Sequence, residues 1–208
     1  AMLDLMLSSG EMIFLGPDEG TAELMDWACE HARTRGYRYW RAFTTGKSER
    51  LGGISHIDYG MTTTGVHQYV LEILKKLNLK EENITKVQTG GPDGDLGSNE
   101  ILISKDITTA VIDGSGVAFD PKGLNRTELR RLALKRIPVI NFNKKLVSKE
   151  GFVAGLNDRI KKKSFSKFQT GLELRNNFHF MVEADLFVPA GGRPKSVDLS
   201  NWQRLLKD

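Results

Sequence analysis

Glycine and acidic residues are densest between residues 88 and 99, where their spacing is typical of a turn that binds phosphate. The stretch reads Gln-Thr-Gly-Gly-Pro-Asp-Gly-Asp-Leu-Gly-Ser-Asn, and it follows a predicted strand and opens a predicted helix. At such a turn, free backbone N–H groups and the positive end of the helix attract a diphosphate. We expect Gly94 to let the backbone approach the diphosphate, and Gly97 to let the helix pack closely on the strand. The expected donors are the amides of Asp95 and Leu96.

The glycine spacing departs from the usual G-x-G-x-x-G pattern at its first position. Gly94 and Gly97 fit the last two positions, but the first falls on Pro92, directly after Gly90 and Gly91. Glycine-rich turns between a strand and a helix are also common where no ligand binds. Two interpretations therefore stay open, a cofactor-binding turn and a degenerate or regulatory nucleotide-binding module.

Asp113 ends the next predicted strand, over residues 108–112, and lies about twenty residues after the glycine turn. An acid at this place accepts hydrogen bonds from the ribose hydroxyls of NAD and repels the 2′-phosphate of NADP. The alternative is an acid that only begins a turn, because Gly114, Ser115 and Gly116 follow it. Together, the glycine turn and the acid favour NAD as the ligand.

Two further polar residues lie beside predicted helices. Asp18 precedes a helix that begins near Thr21, so its local sequence favours a helix cap, with a proton-transfer carboxylate as the functional alternative. Thr62 lies where the next helix begins, and it either caps that helix or turns its hydroxyl toward a ligand. The four histidines and the single Cys29 show no metal-ligand spacing, so we expect no metal site.

The elements that must position these residues alternate along the chain. Helices are predicted over 21–35, 64–77, 96–104 and 124–136, with another beginning near Leu199, and strands over 83–88, 108–112, 138–142, 151–156 and 184–189. Alternation of this kind predicts a doubly wound, Rossmann-like α/β fold with a mostly parallel sheet and helices on both faces. The stretch 157–177 is basic and lacks periodicity, so we expect a loop or hairpin there.

Composition narrows the class of protein further. The 208 residues are 39% hydrophobic and 27% charged, which excludes a disordered, collagen-like or coiled-coil protein. One cysteine excludes a disulfide scaffold and indicates a reducing compartment. No apolar run approaches the roughly 20 residues that a membrane span needs. We therefore expect an intracellular domain that is soluble and has no membrane partner.

The net charge of +4 raises the question of a nucleic-acid partner. The basic residues concentrate in the second half of the chain, and five of them lie on the predicted helix 124–136, where we expect a solvated face: Arg126, Arg130, Arg131, Lys135 and Arg136. Aromatic residues are not interleaved with them, as a nucleic-acid surface would require. We therefore expect no nucleic-acid partner.

Taken together, these segments resemble the long-chain, NAD-specific glutamate dehydrogenases. The matching stretches occur in the family's order and are Phe-Leu-Gly-Pro-Asp-Glu at 14–19, Thr-Gly-Lys-Ser at 45–48, Leu-Gly-Gly at 51–53, Tyr-Gly-Met-Thr at 59–62, the glycine stretch at 88–100, Asp-Gly-Ser-Gly at 113–116, and 185–194. The odd spacing of the glycine stretch is a feature of that long-chain branch. The resemblance thus covers most of the chain.

The resemblance implies roles for several residues. Asp18 matches the catalytic aspartate that moves protons while the 2-amino acid is oxidised, and Thr62 matches a threonine that hydrogen-bonds the nicotinamide carboxamide. Residues 94–97 match the pyrophosphate turn and Asp113 the ribose-binding acid. The implied cofactor contacts are Thr62, Gly91, Gly94, Asp95, Leu96, Gly97, Asp113, Ser115, Ala190 and Gly191, the last two as backbone near the nicotinamide.

The resemblance also implies how the chain is divided. Residues 1–80 would be a helical segment with the catalytic-aspartate motif and a cleft hinge, and 81–208 a Rossmann-like NAD-binding domain that is incomplete at its C-terminus. The family's two substrate-domain lysines have no counterpart here, and neither does the glycine-asparagine segment expected after residue 185. We therefore expect a cofactor domain of a larger enzyme, inactive by itself.

The larger enzyme would oxidise L-glutamate to 2-oxoglutarate and ammonia with hydride transfer to NAD. It would be a homo-oligomer in the cytoplasm or the mitochondrion. A dehydrogenase for another 2-amino acid is the alternative, because the sequence has no substrate domain to separate the two.

Overall fold

The computed structural model describes residues 12, 14–16, 20–163, 165, 167–191 and 196–206 of the chain. Asp18 and residues 192–195 lie outside this part. The chain divides into two compact units, one up to Met61 and the other from Thr62 onward. The functional boundary that the sequence predicts after residue 80 stays a prediction.

Helix α1 (Ala22–Thr34) belongs to the first unit and matches the helix predicted over 21–35. Its buried Ala32 packs with Tyr37 and Phe43 in a small core. The Cys29 thiol donates to the Trp40 carbonyl oxygen at 3.0 Å, and burial raises the pKa of this thiol. Cys29 is therefore a packing group, because a nucleophilic cysteine needs an accessible thiolate.

A five-stranded sheet organises the second unit. The strands of this unit are β1 (Thr85–Thr89), β2 (Ile107–Asp113), β3 (Gly116–Phe119), β4 (Phe152–Gly155), β5 (Arg159–Ile160), β6 (Gln169–Thr170) and β7 (Leu186–Pro189). The large sheet has the order β4-β3-β2-β1-β7, while β5 and β6 form a separate hairpin. β1 is parallel to β2 and β7, whereas β3 is antiparallel to β2 and β4. The predicted mostly parallel sheet is confirmed, with β3 the one reversed strand among the five.

Helices cover both faces of this sheet, as predicted. Those of the second unit are α2 (Met61–Lys76), α3 (Asp95–Ile103), α4 (Arg126–Leu134) and α5 (Gly171–Asn177). On one face, Ile101 of α3 and Leu129 of α4 pack on Val111 of β2. On the other face, Leu174 of α5 packs against Ile112. Alternate residues of β2 therefore point into two separate cores, which makes the strand apolar on both sides.

Two local predictions were wrong and a third was correct only in part. The strand predicted over 138–142 is a 3₁₀ turn at Val139–Asn141, because the Val139 amide bonds the Asp113 side chain instead of a neighbouring strand. The helix expected from Leu199 is a short 3₁₀ turn at Trp202–Leu205. The stretch 157–177 contains the expected hairpin but ends in α5, which a capping box between Thr170 and Glu173 initiates. No helix in the described part of the chain is long and apolar enough to cross a membrane.

Candidate functional site

The carboxyl ends of three parallel strands meet at one edge of the sheet. β1 ends at Thr89, and the following Gly90 amide donates to the Ile112 carbonyl oxygen of β2 at 2.8 Å. The Ala190 amide, just after β7, donates to the Thr89 carbonyl oxygen at 2.7 Å. The structure thus brings the glycine turn, the end of β2 and Ala190 together, at the edge where α/β sheets of this kind bind ligands.

The glycines of the turn are required by close contacts. A Cβ at Gly91 would collide with the Asp113 carboxylate, and a Cβ at Gly97 would collide with the Gly91 carbonyl oxygen. Gly90 adopts a φ of +95°, and a Cβ there would collide with the Ala190 carbonyl group. The first glycine of the usual pattern is therefore absent, and two other glycines make the close contacts. Gly90 lies against Ala190, just after β7, and Gly91 lies against Asp113 at the end of β2.

Gln88 braces the turn from within the strand. Its side-chain amide donates to the Gly90 carbonyl oxygen at 2.8 Å and to the Gly97 carbonyl oxygen at 3.0 Å. These two bonds tie the end of β1 to the start of α3. Gln88 belongs to the predicted stretch, but this role was not predicted. The sequence does not indicate that the side chain of a strand residue bonds the backbone of the turn that follows it.

The glycine turn leads directly into α3, as predicted. Gly94 is the N-terminal cap residue of this helix and has no side chain to satisfy the first amides, and Asp95 and Leu96 form its first turn. Amides of a first helical turn have no acceptor within the helix, and the helix dipole makes this end positive. The turn is therefore suited to an anion such as a diphosphate.

Asp113 is nearly fully buried, with 6% of its surface exposed. Its Oδ1 accepts hydrogen bonds from the Ser115 amide at 2.7 Å, the Ser115 hydroxyl at 2.6 Å and the Gly116 amide at 3.2 Å. Its Oδ2 accepts one bond, from the Val139 amide at 2.7 Å. The carboxylate thus begins the β2–β3 turn, and Oδ2 keeps acceptor capacity on the side of Gly91.

A small cavity opens beside Asp113 at the same edge. It is lined by Thr89, Gly90, Ile112, Asp113, Arg175, His179, Gly191 and Ser196. The Thr89 hydroxyl is buried and has no hydrogen-bond partner among the described residues. The sequence did not indicate either residue as part of a site, because Arg175 lies in the stretch 157–177, interpreted as a loop or hairpin, and His179 shows no ligand spacing.

Of the five basic residues predicted to form a solvated face, three are exposed, Arg130, Arg131 and Lys135, and two are half-buried, Arg126 and Arg136. Arg136, just beyond the helix, donates from Nη1 to the Gly94 carbonyl oxygen at 2.7 Å and to Asp95 Oδ1 at 3.0 Å. Arg130 donates to the Leu102 carbonyl oxygen at 2.8 Å, at the other end of α3. The predicted face is therefore largely solvated, although the packing of α3 and α4 also brings two of its guanidinium groups to the two ends of α3.

The two neighbouring threonines at the start of α2 have different surroundings. Thr62 is exposed, whereas Thr63 is buried and donates its hydroxyl to the Leu96 carbonyl oxygen at 3.3 Å. This bond brings the first turn of α2, to which Thr62 belongs, next to the glycine turn. The structure does not describe Asp18, so its predicted role stays a prediction. Within the described ranges, no group of three or more His, Cys, Asp or Glu side chains is placed to hold a metal ion.

The fold and the glycine turn define a Rossmann-like α/β domain. The family model for "Glutamate/Leucine/Phenylalanine/Valine dehydrogenase" matches residues 52–208. The chain belongs to this family.

The relatives found by sequence comparison carry more specific names. The chain is 51% identical to "Glutamate dehydrogenase 2" of Dictyostelium discoideum, over 98% of this chain and 21% of that protein. It is 51% identical to the "NAD-specific glutamate dehydrogenase" of Neurospora crassa, over 95% of this chain and 19% of that protein. The resemblance to NAD-specific glutamate dehydrogenases is confirmed, and the chain spans about a fifth of these relatives' length.

Solved structures confirm the fold. The hetero-hexameric glutamate dehydrogenase of Thermus thermophilus superposes with a TM-score of 0.63 at 18% identity, over 98% of this chain and 42% of that chain. The glutamate dehydrogenase of Plasmodium falciparum gives a TM-score of 0.52 at 20% identity, over 83% of this chain and 35% of that chain.

Proposed function

We propose that this chain is the cofactor-binding part of an NAD-dependent glutamate dehydrogenase. The observation that carries the proposal is the glycine turn at the start of α3, packed against the Asp113 carboxylate in a chain that is 51% identical to a protein named NAD-specific glutamate dehydrogenase. The collisions at Gly91 and Gly97 show that these two positions of the turn have no room for a side chain. The unpartnered Thr89 hydroxyl beside it offers a polar contact for a ligand.

The residues present fit a dinucleotide. The first-turn amides of Asp95 and Leu96 would hold the diphosphate, with Gly94 letting the backbone approach it and Gly91 and Gly97 allowing the turn to pack closely. Asp113 would accept a ribose hydroxyl at Oδ2, the oxygen that carries a single internal bond.

Two further groups complete the proposed cofactor site. Ser115 would act through Asp113, because its amide and hydroxyl fix Oδ1. Thr62 and the backbone at Ala190 and Gly191 would contact the nicotinamide end. When bound, the cofactor supplies the hydride acceptor, and the protein positions the reacting groups and handles protons.

The whole enzyme's reaction is proposed from the relatives. L-glutamate would be oxidised to 2-oxoglutarate and ammonia, with Asp18 moving protons. We propose that the 208-residue chain binds NADH without turnover, because the family's two substrate-domain lysines have no counterpart in its sequence. We also propose that the full-length protein is a homo-oligomer in the cytoplasm or the mitochondrion.

A dehydrogenase acting on another 2-amino acid is the second candidate. The description of the matching family model names leucine, phenylalanine and valine as well as glutamate, so the family by itself does not select the substrate. The names of the relatives favour glutamate.

Calorimetric titration of the chain with NADH and NADPH tests the proposed cofactor site. We expect saturable NADH binding and NADPH binding at least about tenfold weaker, because Asp113 repels a 2′-phosphate. Asp113→Asn should weaken NADH binding by about 1–3 kcal/mol through the loss of a charged acceptor. It should also reduce the difference in affinity between NADH and NADPH. Equal NADH affinity in parent and variant, at equal melting temperatures, would contradict the proposed role of Asp113 in binding the ribose.

A further inference from the structure

Arg136 occupies a backbone conformation in which glycine is the usual residue. It follows α4 with a φ of 52°, in the left-handed region. Its amide donates to the Ala133 carbonyl oxygen at 3.2 Å, and the Ile137 amide donates to the Leu132 carbonyl oxygen at 3.0 Å. These two bonds form a Schellman motif, whose left-handed position favours glycine because a Cβ is strained there. An arginine at this position carries a steric cost that its side chain must offset.

The Arg136 side chain is directed to the phosphate turn. One nitrogen, Nη1, donates both to the Gly94 carbonyl oxygen at 2.7 Å and to the Asp95 carboxylate at 3.0 Å. The Arg136 side chain is 35% exposed and that of Asp95 is 23% exposed. Arg136 therefore contacts two successive residues of the turn while part of its guanidinium group remains open to solvent.

Asp95 poses an electrostatic problem for a diphosphate. Its carboxylate is carried by the first residue of α3, the same residue whose amide is an expected phosphate donor. Like charges at such short range repel, and partial burial strengthens the repulsion. Arg136 offsets this charge, because its guanidinium group is a cation that bonds the Asp95 carboxylate directly.

We propose that Arg136 is a positioning residue of the phosphate turn, which neutralises Asp95 and fixes the Gly94 carbonyl group so that the turn accepts the diphosphate of a dinucleotide. The inference rests on the proposed NAD-binding function and adds a residue that acts on the cofactor through Asp95. It also accounts for an arginine where the backbone favours glycine.

The test compares four variants of the 208-residue chain by titration with NADH and with ADP, which shares the diphosphate. Arg136→Gly removes the guanidinium group and relieves the backbone strain. Arg136→Lys keeps the charge, and Arg136→Gly combined with Asp95→Asn removes both charges. Arg130→Gln is the matched control, because it removes an arginine that bonds a carbonyl group at the opposite end of α3. Thermal melting of every variant reports its folding.

We expect Arg136→Gly to lower the affinity for NADH and for ADP by about tenfold or more, which is the loss typical of a charge-assisted contact. Its melting temperature should stay close to that of the parent, since glycine suits the left-handed position. Arg136→Lys should recover part of the lost affinity. The double variant should bind NADH within about threefold of the parent, because the repelling carboxylate is gone.

Two results would overturn the inference alone. One is an Arg136→Gly variant that binds NADH as tightly as the parent and the Arg130→Gln control. The other is a double variant that binds no better than Arg136→Gly. A parent chain that binds neither NADH nor ADP would instead overturn the proposed function, and the inference with it.

Discussion

At the scale of single residues, the second unit contains a fully buried lysine that pairs with two buried carboxylates. The Lys86 ammonium group lies 2.9 Å from Glu100 Oε1 and 2.8 Å from Asp106 Oδ2, and it donates to the Ser104 hydroxyl at 2.8 Å. Glu100 lies on α3, so this group also anchors the helix that follows the glycine turn. Lys86→Met should lower the free energy of unfolding by about 3–5 kcal/mol, because two buried carboxylates lose their counter-charge. Urea unfolding followed by circular dichroism measures this loss.

The matched variant for Lys86 removes the carboxylates as well. Lys86→Met combined with Glu100→Gln and Asp106→Asn leaves no uncompensated charge and should regain part of the lost stability. A Lys86→Met protein as stable as the parent would show that the ion pairs contribute nothing. The sequence does not predict this buried ion-pair cluster, because a lysine in a short strand is usually exposed. Its partners Glu100 and Asp106 lie close to it only in the folded structure.

At the scale of elements, the packing of α3 on the glycine turn is set by Gly97. A Cβ at this position would collide with the Gly91 carbonyl oxygen and lie 2.6 Å from the Gly90 carbonyl group, and backbone cannot yield as a flexible side chain would. Gly97→Ala should therefore destabilise the protein by about 1–3 kcal/mol and weaken NADH binding, because α3 must move away from the turn. Thermal melting and calorimetric titration measure the two effects.

Gly65 in α2 is the matched control for Gly97. A Cβ there meets no heavy atom within 4 Å, and the residue is exposed. Gly65→Ala should stabilise α2 by about 0.5–1 kcal/mol, since alanine favours a helix more than glycine does. If both substitutions had the same effect on stability, close packing at Gly97 would not be the cause.

What the sequence predicts about these elements depends on how local the signal is. The glycine turn, α3 and the acid that ends β2 were predicted, because each is a pattern of neighbouring residues. Strand β3 was not, since four residues after a glycine-rich turn are too short to show a period. The contact of Arg136 with Asp95 joins residues 41 positions apart, so it exists only once α3 and α4 have packed.

At the scale of the whole molecule, several carboxylates are bound in ways that only their charged forms allow. Glu128 accepts two bonds from the Arg131 guanidinium group, each at 2.7 Å, and one from the Asn143 amide at 3.1 Å. The bonds to Arg131 lower the pKa of Glu128. Asp185 accepts bonds from the Thr85 amide and hydroxyl, which lower its pKa and join the first residue of β1 to the residue just before β7.

The stability of the protein should consequently fall as the pH is lowered. A carboxylate whose pKa is lowered in the folded state gives stability that is present above its unfolded pKa and is lost as the pH falls through the folded value. We expect the urea midpoint to be constant near pH 7 and to decrease between about pH 5 and pH 2.

Glu128→Gln should lower the midpoint at pH 7 and flatten this decrease, since glutamine cannot form the ion pair with Arg131. The control is Glu72→Gln, because Glu72 is 55% exposed and lies 3.8 Å from Lys75, and such surface pairs contribute little. Equal slopes for Glu128→Gln and the parent would show that Glu128 is not a source of the acid sensitivity.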